Sequence, residues 1–380
     1  MLEGGQNERV ETYLSTIHPL KNQKSSFLKN YHKWTSNCAS MEFLKINGGH
    51  GEGGGQIVRS AIMLSCITGK PIHVENIRKN RKKNGLKPQH LTGIRIVQKI
   101  SNSKIIGAEI GSSELKFIPG KIKEMELVED IGTAGSISLV LQMIIPILAI
   151  SNQKLKLTLR GGTNVRWSPS IEYTKYILQE AYKRMGINFT ININTHGFYP
   201  KGGGEIILEV LPSNIKSLSL HKRKSRNTKL ICTISNLPMN KIEKEIFRIK
   251  KQLIDNNLTV DSKIIKTNAA DVGASILLYT NDENSIIGTD ALFDEKEDKF
   301  SIDLDTFINN TLGVDGNLAD MIVVPASLAY GKTVFRVPKI TKHLESNLFV
   351  TSKITGCRYG VGRLQEGYEV IIEGISNSGI

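Results

Sequence analysis

The chain has few cysteines, and their spacing excludes two kinds of structural cross-link. Its 380 residues include four cysteines, far apart and without a C-x-x-C pair: Cys38, Cys66, Cys232 and Cys357. Zinc sites and disulfide frameworks need clustered or regularly spaced cysteines. The pattern therefore predicts reduced thiols in a cytoplasmic protein, with neither a zinc site nor a disulfide framework.

The chain also lacks a long apolar run, so no membrane-spanning helix is expected. The most apolar stretch, residues 137–150, is interrupted by Ser138, Gln142 and Pro146. A spanning helix needs about 20 consecutive, predominantly apolar residues. This stretch therefore predicts a buried helix. The first residues do not show the charged, apolar and small-residue order of a secretory signal, so none is expected.

Positive charge is in excess. The chain carries 50 Lys and Arg against 36 Asp and Glu, which gives a net charge of +14. Such an excess favours a polyanionic partner such as nucleic acid, although many basic proteins only carry solvated lysines. Charge alone therefore leaves both interpretations open.

The chain divides into three kinds of sequence. Residues 1–40 are polar and aperiodic, which predicts a disordered extension. Residues 41–209 and 313–380 alternate strand-like segments, glycine-rich turns and amphipathic helices, which predicts a large α+β domain with a repeated unit. The glycine-rich style is lost between them, so residues 210–312 predict a smaller, inserted α+β domain. Helices are predicted over residues 56–68, 91–100, 170–185 and 241–258.

A glycine-rich turn, residues 48–55, stands between the first predicted strand and the first predicted helix. Gly49, Gly51 and Gly54 satisfy the G-x-G-x-x-G spacing of dinucleotide-binding folds. Glu52 argues against that interpretation, because a carboxylate in the turn repels a pyrophosphate unless a divalent metal lies between them. The turn lacks Gly-Lys-Ser/Thr, so it is not a Walker A motif. A close-packed turn with a solvated Glu52 is the plain alternative.

A basic segment follows the second predicted strand. Its six cations have no acid between them: Arg78, Lys79, Arg81, Lys82, Lys83 and Lys87. Gly85 and Pro88 make the segment a loop. Because like charges repel, the cluster indicates a polyphosphate or RNA backbone nearby, and arginine adds bidentate geometry for a terminal phosphate. Gln89 and His90, near the start of a helix, are placed to meet an anion. A solvated charge run stays open.

Eight segments follow one another along the chain: residues 51–60 (GEGGGQIVRS), 76–78 (NIR), 85–92 (GLKPQHLT), 109–112 (EIGS), 131–136 (IGTAGS), 161–164 (GGTN), 198–205 (FYPKGGGE) and 318–320 (LAD). Taken in order, they resemble the RNA 3'-terminal phosphate cyclase family. The resemblance covers about residues 41–209 and 313–380 and fades across the insert. The family implies a large domain of repeated βαβαββ-like units with a smaller inserted α+β domain.

The resemblance implies an ATP-consuming reaction in three steps on an RNA with a 3'-phosphate end. A histidine attacks the α-phosphorus of ATP and becomes a histidyl-AMP. The AMP passes to the RNA 3'-phosphate, and the neighbouring 2'-hydroxyl then expels it, which leaves a 2',3'-cyclic phosphodiester. A divalent metal, Mg²⁺ or Mn²⁺, accompanies the ATP. Imidazole suits the first step because a neutral nitrogen attacks readily near pH 7.

By position, the resemblance assigns roles to individual residues. The nucleophile is His343, in the segment ITKHLESN (residues 340–347), and the metal ligand is Glu52. The ATP-contacting positions are Gln142, Asn317, Leu318, Ala319, Asp320 and Met321. The positions that face phosphate and RNA are Arg59, Arg78, Arg81, Gln89 and His90.

Three other functions stay open. A non-catalytic relative that binds pre-ribosomal RNA as an assembly factor would keep the fold and the basic surface, but it would lack the histidine that this chain has. An enolpyruvyl-transferase-like enzyme also uses repeated α+β units, yet it gives no reason for a nucleophilic histidine near the C-terminus. Dinucleotide binding is testable by NAD titration. The insert is left with three roles: binding RNA, pairing protomers in a homodimer, or filling space.

Overall fold

The first structural unit is a four-stranded sheet with two helices. The computed structural model describes residues 41–123, 125–151 and 153–375; the extension predicted for residues 1–40 lies outside them. The unit consists of β1 (Leu44–Asn47), α1 (Gln56–Thr68), β2 (Ile72–Glu75), α2 (Pro88–Ser101), β3 (Lys104–Ile106) and β4 (Leu115–Ile118). The sheet order is β1-β2-β4-β3; β1 and β2 are parallel, and β4 is antiparallel to both its neighbours. This is a βαβαββ unit.

The second unit repeats the same order of elements. It consists of β5 (Met125–Asp130), α3 (Ile137–Ile150), β6 (Leu155–Gly161), α4 (Ile171–Tyr173), a π-helical turn (Thr174–Leu178), α5 (Gln179–Arg184), β7 (Phe189–Thr195) and β8 (Gly204–Val210). Its sheet order, β5-β6-β8-β7, has the same parallel and antiparallel pairings. Helix α3 is the predicted apolar helix, and it is buried on nearly all sides because almost every residue in it is apolar.

A third βαβαββ unit begins with one short strand, and a five-stranded sheet is then inserted before the unit continues. After β9 (Ser219–Leu220) come β10 (Asn227–Ser235), α6 (Met239–Asp255), β11 (Thr259–Lys266), β12 (Gly273–Asp282), β13 (Ser285–Asp294), β14 (Lys299–Phe300) and α7 (Leu304–Asn309). The interrupting sheet has the order β11-β10-β12-β13-β14. Strand β9 falls within residues 210–312 but pairs with a strand of the third unit, so the interrupting sheet starts at β10. The predicted domain boundaries themselves stay predictions.

The third unit then resumes and closes the chain. Its remaining elements are α8 (Gly316–Met321), α9 (Val323–Leu328), β15 (Lys332–Val337), α10 (Lys342–Thr355), β16 (Arg358–Arg363) and β17 (Tyr368–Glu373). The sheet order is β16-β17-β15-β9, with β9 parallel to β15 and β17 antiparallel to its neighbours. The three units therefore share one topology, and the α+β fold class predicted from the sequence is confirmed.

The helices of the repeated units pack into one hydrophobic core. Helix α1 packs against α10 and α3, and α3 packs against α2, so elements from all three units meet. The inserted sheet has a core of its own beneath α6 and α7, and its other face adds Ile231, Leu277 and Tyr279 to the main core. From Leu44 onward the described residues form one compact unit. In the described part of the chain, no helix has the length and hydropathy of a membrane span.

Candidate active site

The glycine-rich turn lies directly against α10. Gly51 has φ +56°, a left-handed conformation that glycine adopts without strain. A Cβ atom on Gly51 would lie 2.4 Å from Oγ of Ser346 in α10, so only glycine permits this approach. The ring of His50 stacks on Phe349 of the same helix, with centroids 3.8 Å apart and an angle of 17° between planes. The turn is therefore held where its carboxylate reaches the start of α10.

Glu52 and His343 are in contact at this junction. Glu52 Oε2 lies 2.7 Å from His343 Nε2, and Glu52 Oε1 is paired with Arg81. His343 is the second residue of α10, which begins after Thr341; the Thr341 hydroxyl accepts a hydrogen bond of 3.1 Å from the Leu344 amide. The side chain of His343 is 49% exposed, against 18% for Glu52. The imidazole is thus open to a ligand, while the carboxylate is mostly covered.

Burial favours the neutral form of His343. Burial lowers the pKa of His343; Asp320 opposes this effect, and Arg59 and Arg81 lower the pKa further. Burial likewise raises the pKa of Asp320, against the opposing attraction of His343 and Arg59. A histidine with a lowered pKa keeps a lone pair on one ring nitrogen at neutral pH. That lone pair is what a nucleophile needs.

His90 is buried beside the glycine-rich turn and is also neutral. It is 4% exposed, and its Nδ1 accepts a hydrogen bond of 3.0 Å from the Lys87 amide. The proton of the neutral ring therefore sits on Nε2, only 2.3 Å from where a Cβ of Gly55 would lie. Burial, reinforced by the charges of Arg59, Arg78 and Lys87, lowers the pKa of His90 to about 3. His90 is a hydrogen-bond donor here, not a cation.

The predicted basic segment is a loop, as expected, and its arginines have different tasks. Arg78 Nη1 donates to the carbonyls of Lys83, at 2.8 Å, and Gly85, at 3.2 Å. Part of its hydrogen-bonding capacity thus holds its own loop. Arg81 instead reaches Glu52, and Arg59 projects from α1, where burial lowers its pKa to about 10. The three guanidinium groups together make this region attractive to phosphate.

Helix α8 is positioned by Asp315, a residue outside the site predicted from the sequence. Its Oδ1 accepts hydrogen bonds from the amides of Asn317 (2.9 Å) and Leu318 (3.0 Å) and from the Tyr173 hydroxyl (2.8 Å). Its Oδ2 accepts from the Gly288 amide at 2.8 Å. Asp315 thereby fixes α8 to the second unit and to the inserted sheet. An Asp directly before a short helix is the sequence signal that would have predicted this cap.

A cleft of about 1430 Å³ joins these features. Every predicted site residue lines it except Leu318 and Ala319: the lining includes Glu52, Arg59, Arg78, Arg81, Gln89, His90, Gln142, Asn317, Asp320, Met321 and His343. Leu318 and Ala319 are 0% exposed and belong to the main core. They lie on the inner side of α8, because its outer side carries Asn317, Asp320 and Met321. Their side chains therefore shape the helix and do not face the cleft.

A buried hydrogen-bond relay connects the three elements that carry the site. The Ser60 hydroxyl of α1 donates to Asn347 Oδ1 of α10 at 2.6 Å, and Asn347 Nδ2 donates to the backbone carbonyl of Asp320 at 2.8 Å. Asn347 is 2% exposed. It lies one helical turn after His343, so the amide sets the spacing of His343, Asp320 and α1. Asn347 stood in the quoted segment 340–347, but its spacing alone gave no sign of this contact.

The carboxylate oxygens in the cleft are suitable ligands for a divalent cation that is bound together with a triphosphate. Glu52 Oε2 and Asp320 Oδ1 are buried oxygens that accept no well-formed hydrogen bond, despite the proximity of His343 to the first. Among the residues that the structure describes, no three His, Cys, Asp or Glu side chains cluster as a metal cage. Mg²⁺ is commonly held by one or two carboxylates together with substrate phosphates. A carboxylate facing a cleft of arginines matches that arrangement.

Comparison with known proteins identifies the family. The family model described as RNA 3'-terminal phosphate cyclase matches residues 50–361. Three curated relatives carry that same name. The protein from Methanosarcina barkeri is 34% identical over 87% of this chain and 99% of its own length. Those from Pyrococcus furiosus and Pyrobaculum aerophilum are 36% and 31% identical, over 82% and 87% of this chain and 93% and 98% of their own lengths.

The family match covers the glycine-rich turn from His50 onward, the basic loop, the residues that line the cleft and the helix of His343, which are the parts that the geometry brings together. The chain belongs to the RNA 3'-terminal phosphate cyclase family.

Proposed function

We propose that this protein converts an RNA 3'-terminal phosphate to a 2',3'-cyclic phosphodiester at the expense of ATP, through a histidyl-AMP on His343. The observation that carries the proposal is the contact between His343 and Glu52, 2.7 Å apart, in a cleft that Arg59, Arg78 and Arg81 also line. A half-exposed imidazole beside a carboxylate and phosphate-binding cations is suited to nucleotidyl transfer. The family membership supports the same reaction.

In the first step a ring nitrogen of His343 attacks the α-phosphorus of ATP. A nitrogen–phosphorus bond forms and pyrophosphate leaves. The lowered pKa of His343 supports this step, since the neutral ring has a lone pair to donate. Attack from Nε2 requires that its contact with Glu52 is broken. Glu52 would hold a divalent cation, Mg²⁺ or Mn²⁺, which would neutralise charge on the triphosphate.

The two later steps move AMP from protein to RNA and release it. An oxygen of the RNA 3'-phosphate attacks the phosphorus of histidyl-AMP, which frees His343. The neighbouring 2'-hydroxyl then loses its proton, attacks the RNA phosphorus and expels AMP. Arg59, Arg78 and Arg81 supply fixed positive charge to these phosphates, and neutral His90 supplies an N–H donor. Gln89 lines the same cleft, with its Oε1 accepting from the Ser136 amide at 3.3 Å.

The nucleotide would occupy the part of the cleft lined by α3 and α8. Gln142 from α3, with Asn317, Asp320 and Met321 from α8, line it with side chains that can hydrogen-bond to or pack against a nucleoside. Leu318 and Ala319 would contribute by supporting α8 from the core. A cytoplasmic location and a homodimer remain predictions.

An end-conversion assay tests the proposal. The purified protein is incubated with ATP, Mg²⁺ or Mn²⁺ and an oligoribonucleotide with a 3'-phosphate, and the end is probed with phosphatase. We expect a phosphatase-resistant, cyclic end together with one AMP per end converted. A matched oligonucleotide with a terminal 2'-deoxyribose lacks the attacking hydroxyl, so it should accept AMP without cyclising. Binding of RNA with no AMP formed would overturn the proposal and favour the assembly-factor alternative.

A further inference from the structure

The loop after β6 carries the most exposed large apolar side chain in the described residues. Trp167 is 95% exposed and lines the cleft, and its backbone has φ +62°, a left-handed conformation that is unfavourable for a bulky side chain. Two further exposed apolar residues line the same cleft, Tyr199 at 71% and Val272 at 43%. Exposed aromatics scattered singly need no explanation, but a group of them along one cleft indicates a binding surface.

The backbone on both sides of Trp167 is fixed while its indole is free. Val165 is 7% exposed, and the Ser168 hydroxyl closes the turn by donating to the Val165 carbonyl at 3.1 Å. The Ser170 amide donates to Asp290 of β13 at 2.6 Å. Arg166 reaches Asp294 of the same strand at 3.4 Å. The loop is therefore held in place before any ligand binds, which reduces the entropy lost on binding.

The surroundings of this indole suit a nucleic acid strand. Arg166 and Lys296 line the same cleft and carry positive charge for backbone phosphates. Single-stranded RNA is bound by such combinations of cations and aromatic platforms, because every base has a π-face that stacks on an aromatic ring. An indole that is 95% exposed leaves its ring faces open to a base on a flexible strand. An enclosed mononucleotide site would cover it on both faces.

We propose that Trp167 is a stacking platform for a nucleobase of the RNA strand, within the same cleft as His343. This subsite rests on the proposed function for the identity of the polymer. It would take bases with little sequence preference, since stacking reads the π-face and not the base edge. It would hold the strand so that its 3'-phosphate is retained near the arginines.

Intrinsic fluorescence tests this subsite directly, because the chain has only two tryptophans, Trp34 and Trp167. In the Trp34→Phe variant, Trp167 is the single indole and reports stacking by quenching. The variant is titrated, without metal, with a 3'-phosphorylated oligoribonucleotide, with an abasic strand of the same length and phosphate, and with ATP. We expect quenching by the oligoribonucleotide and little change with the abasic strand or ATP. Quenching by ATP alone would reassign the platform to the mononucleotide, and no quenching by RNA would overturn it.

Affinity measurements on substituted proteins give a second test. Trp167→Ala should weaken the Kd for the oligoribonucleotide about 5- to 150-fold, while Trp167→Phe should retain most of the affinity. Tyr330→Ala is the matched control, because Tyr330 is 69% exposed but does not line the cleft. An unchanged Kd for Trp167→Ala would refute the platform. Binding needs no catalysis, so the two proposals can fail separately. Fluorescence quenching by RNA without any cyclisation would contradict the proposed function and would still support the RNA-binding subsite.

Discussion

The buried imidazole of His90 gives the protein a measurable pH dependence of stability. Its pKa is lowered to about 3 in the folded state, against about 6.5 in an unfolded chain. Between these values the unfolded state binds a proton that the folded state does not. The contribution of His90 to stability is therefore complete above pH 6.5 and decreases as the pH falls towards 3.

The size of the effect follows from the two pKa values. Each pH unit below 6.5 lowers the free energy of unfolding by about 1.4 kcal/mol per such histidine. Two units, from pH 6.5 to 4.5, therefore remove about 2.7 kcal/mol, a large part of the stability of an ordinary domain. His90→Asn removes the titration but keeps an acceptor oxygen for the Lys87 amide, which donates to Nδ1 in the native protein.

Urea unfolding at pH 7.5, 6.5, 5.5 and 4.5 measures the difference between wild type and His90→Asn. We expect a constant difference above pH 6.5, and below it a relative loss in the wild type of about 1.4 kcal/mol per unit. Other titrating groups, such as Asp290, whose pKa burial raises to about 6, are present in both proteins and cancel. Parallel stability curves for the two proteins across this range would refute the reasoning.

Three further substitutions test other contacts. Glu52→Gln keeps the shape of the side chain but removes the negative charge beside His343. We expect the rate of adenylation to fall about 10²-fold or more and not to recover in excess Mg²⁺. A rate near that of the wild type would contradict the role of Glu52 as a metal ligand. Asn347→Ala removes two buried hydrogen bonds and should lower the free energy of unfolding by about 2–4 kcal/mol. Adding Ser60→Ala should then cost little more, because the Ser60 hydroxyl has already lost its acceptor and keeps only the longer bond of 3.3 Å that it accepts from Gln56. Full additivity of the two substitutions would argue against the relay. Gly51→Ala should lower the free energy of unfolding by more than the roughly 1–2 kcal/mol expected for Gly69→Ala. Both glycines have a left-handed φ, but a Cβ on Gly51 would clash with Ser346 whereas a Cβ on Gly69 would meet open space. Adding Ser346→Ala should therefore relieve the excess, and equal effects at both glycines would contradict the clash with Ser346.

Local patterns predicted the helices well where their boundaries have simple causes. The helix predicted over residues 56–68 is observed as Gln56–Thr68, because a glycine-rich turn precedes it and Gly69 ends it at φ +71°. The helix predicted over residues 91–100 begins three residues earlier, since Pro88 occupies its first turn, where proline is tolerated. The π-helical turn at Thr174–Leu178 has no counterpart in the periodicity, because it depends on tertiary packing.

The pairing of strands was not readable from local patterns. Strand periodicity says that a segment is extended, but the partner of β9 lies beyond the whole inserted sheet. The repeated βαβαββ order came from the family resemblance, and the observed sheets agree with it. The same limit applies to the site: Glu52 and His343 stand near opposite ends of the chain, so only the resemblance placed them together.

Side-chain direction was the other feature that the sequence could not supply. The family resemblance assigns residues 317–321 to ATP as a block, yet a short helix turns Leu318 and Ala319 into the core. Trp167 gave no signal at all, because local sequence does not show whether a lone tryptophan in a loop is exposed. Its exposure depends on how the Ser170 amide and Arg166 hold the loop to β13.

Covalent labelling tests the central claim most directly. The protein is incubated with ATP labelled at the α-phosphate and a divalent metal, without RNA, and the label retained on the chain is measured before and after mild acid. A phosphoramidate on His343 predicts acid-labile label in the wild type and none in His343→Asn, with Tyr330→Ala labelled like the wild type. Label that persists on His343→Asn would contradict the assignment of the nucleophile.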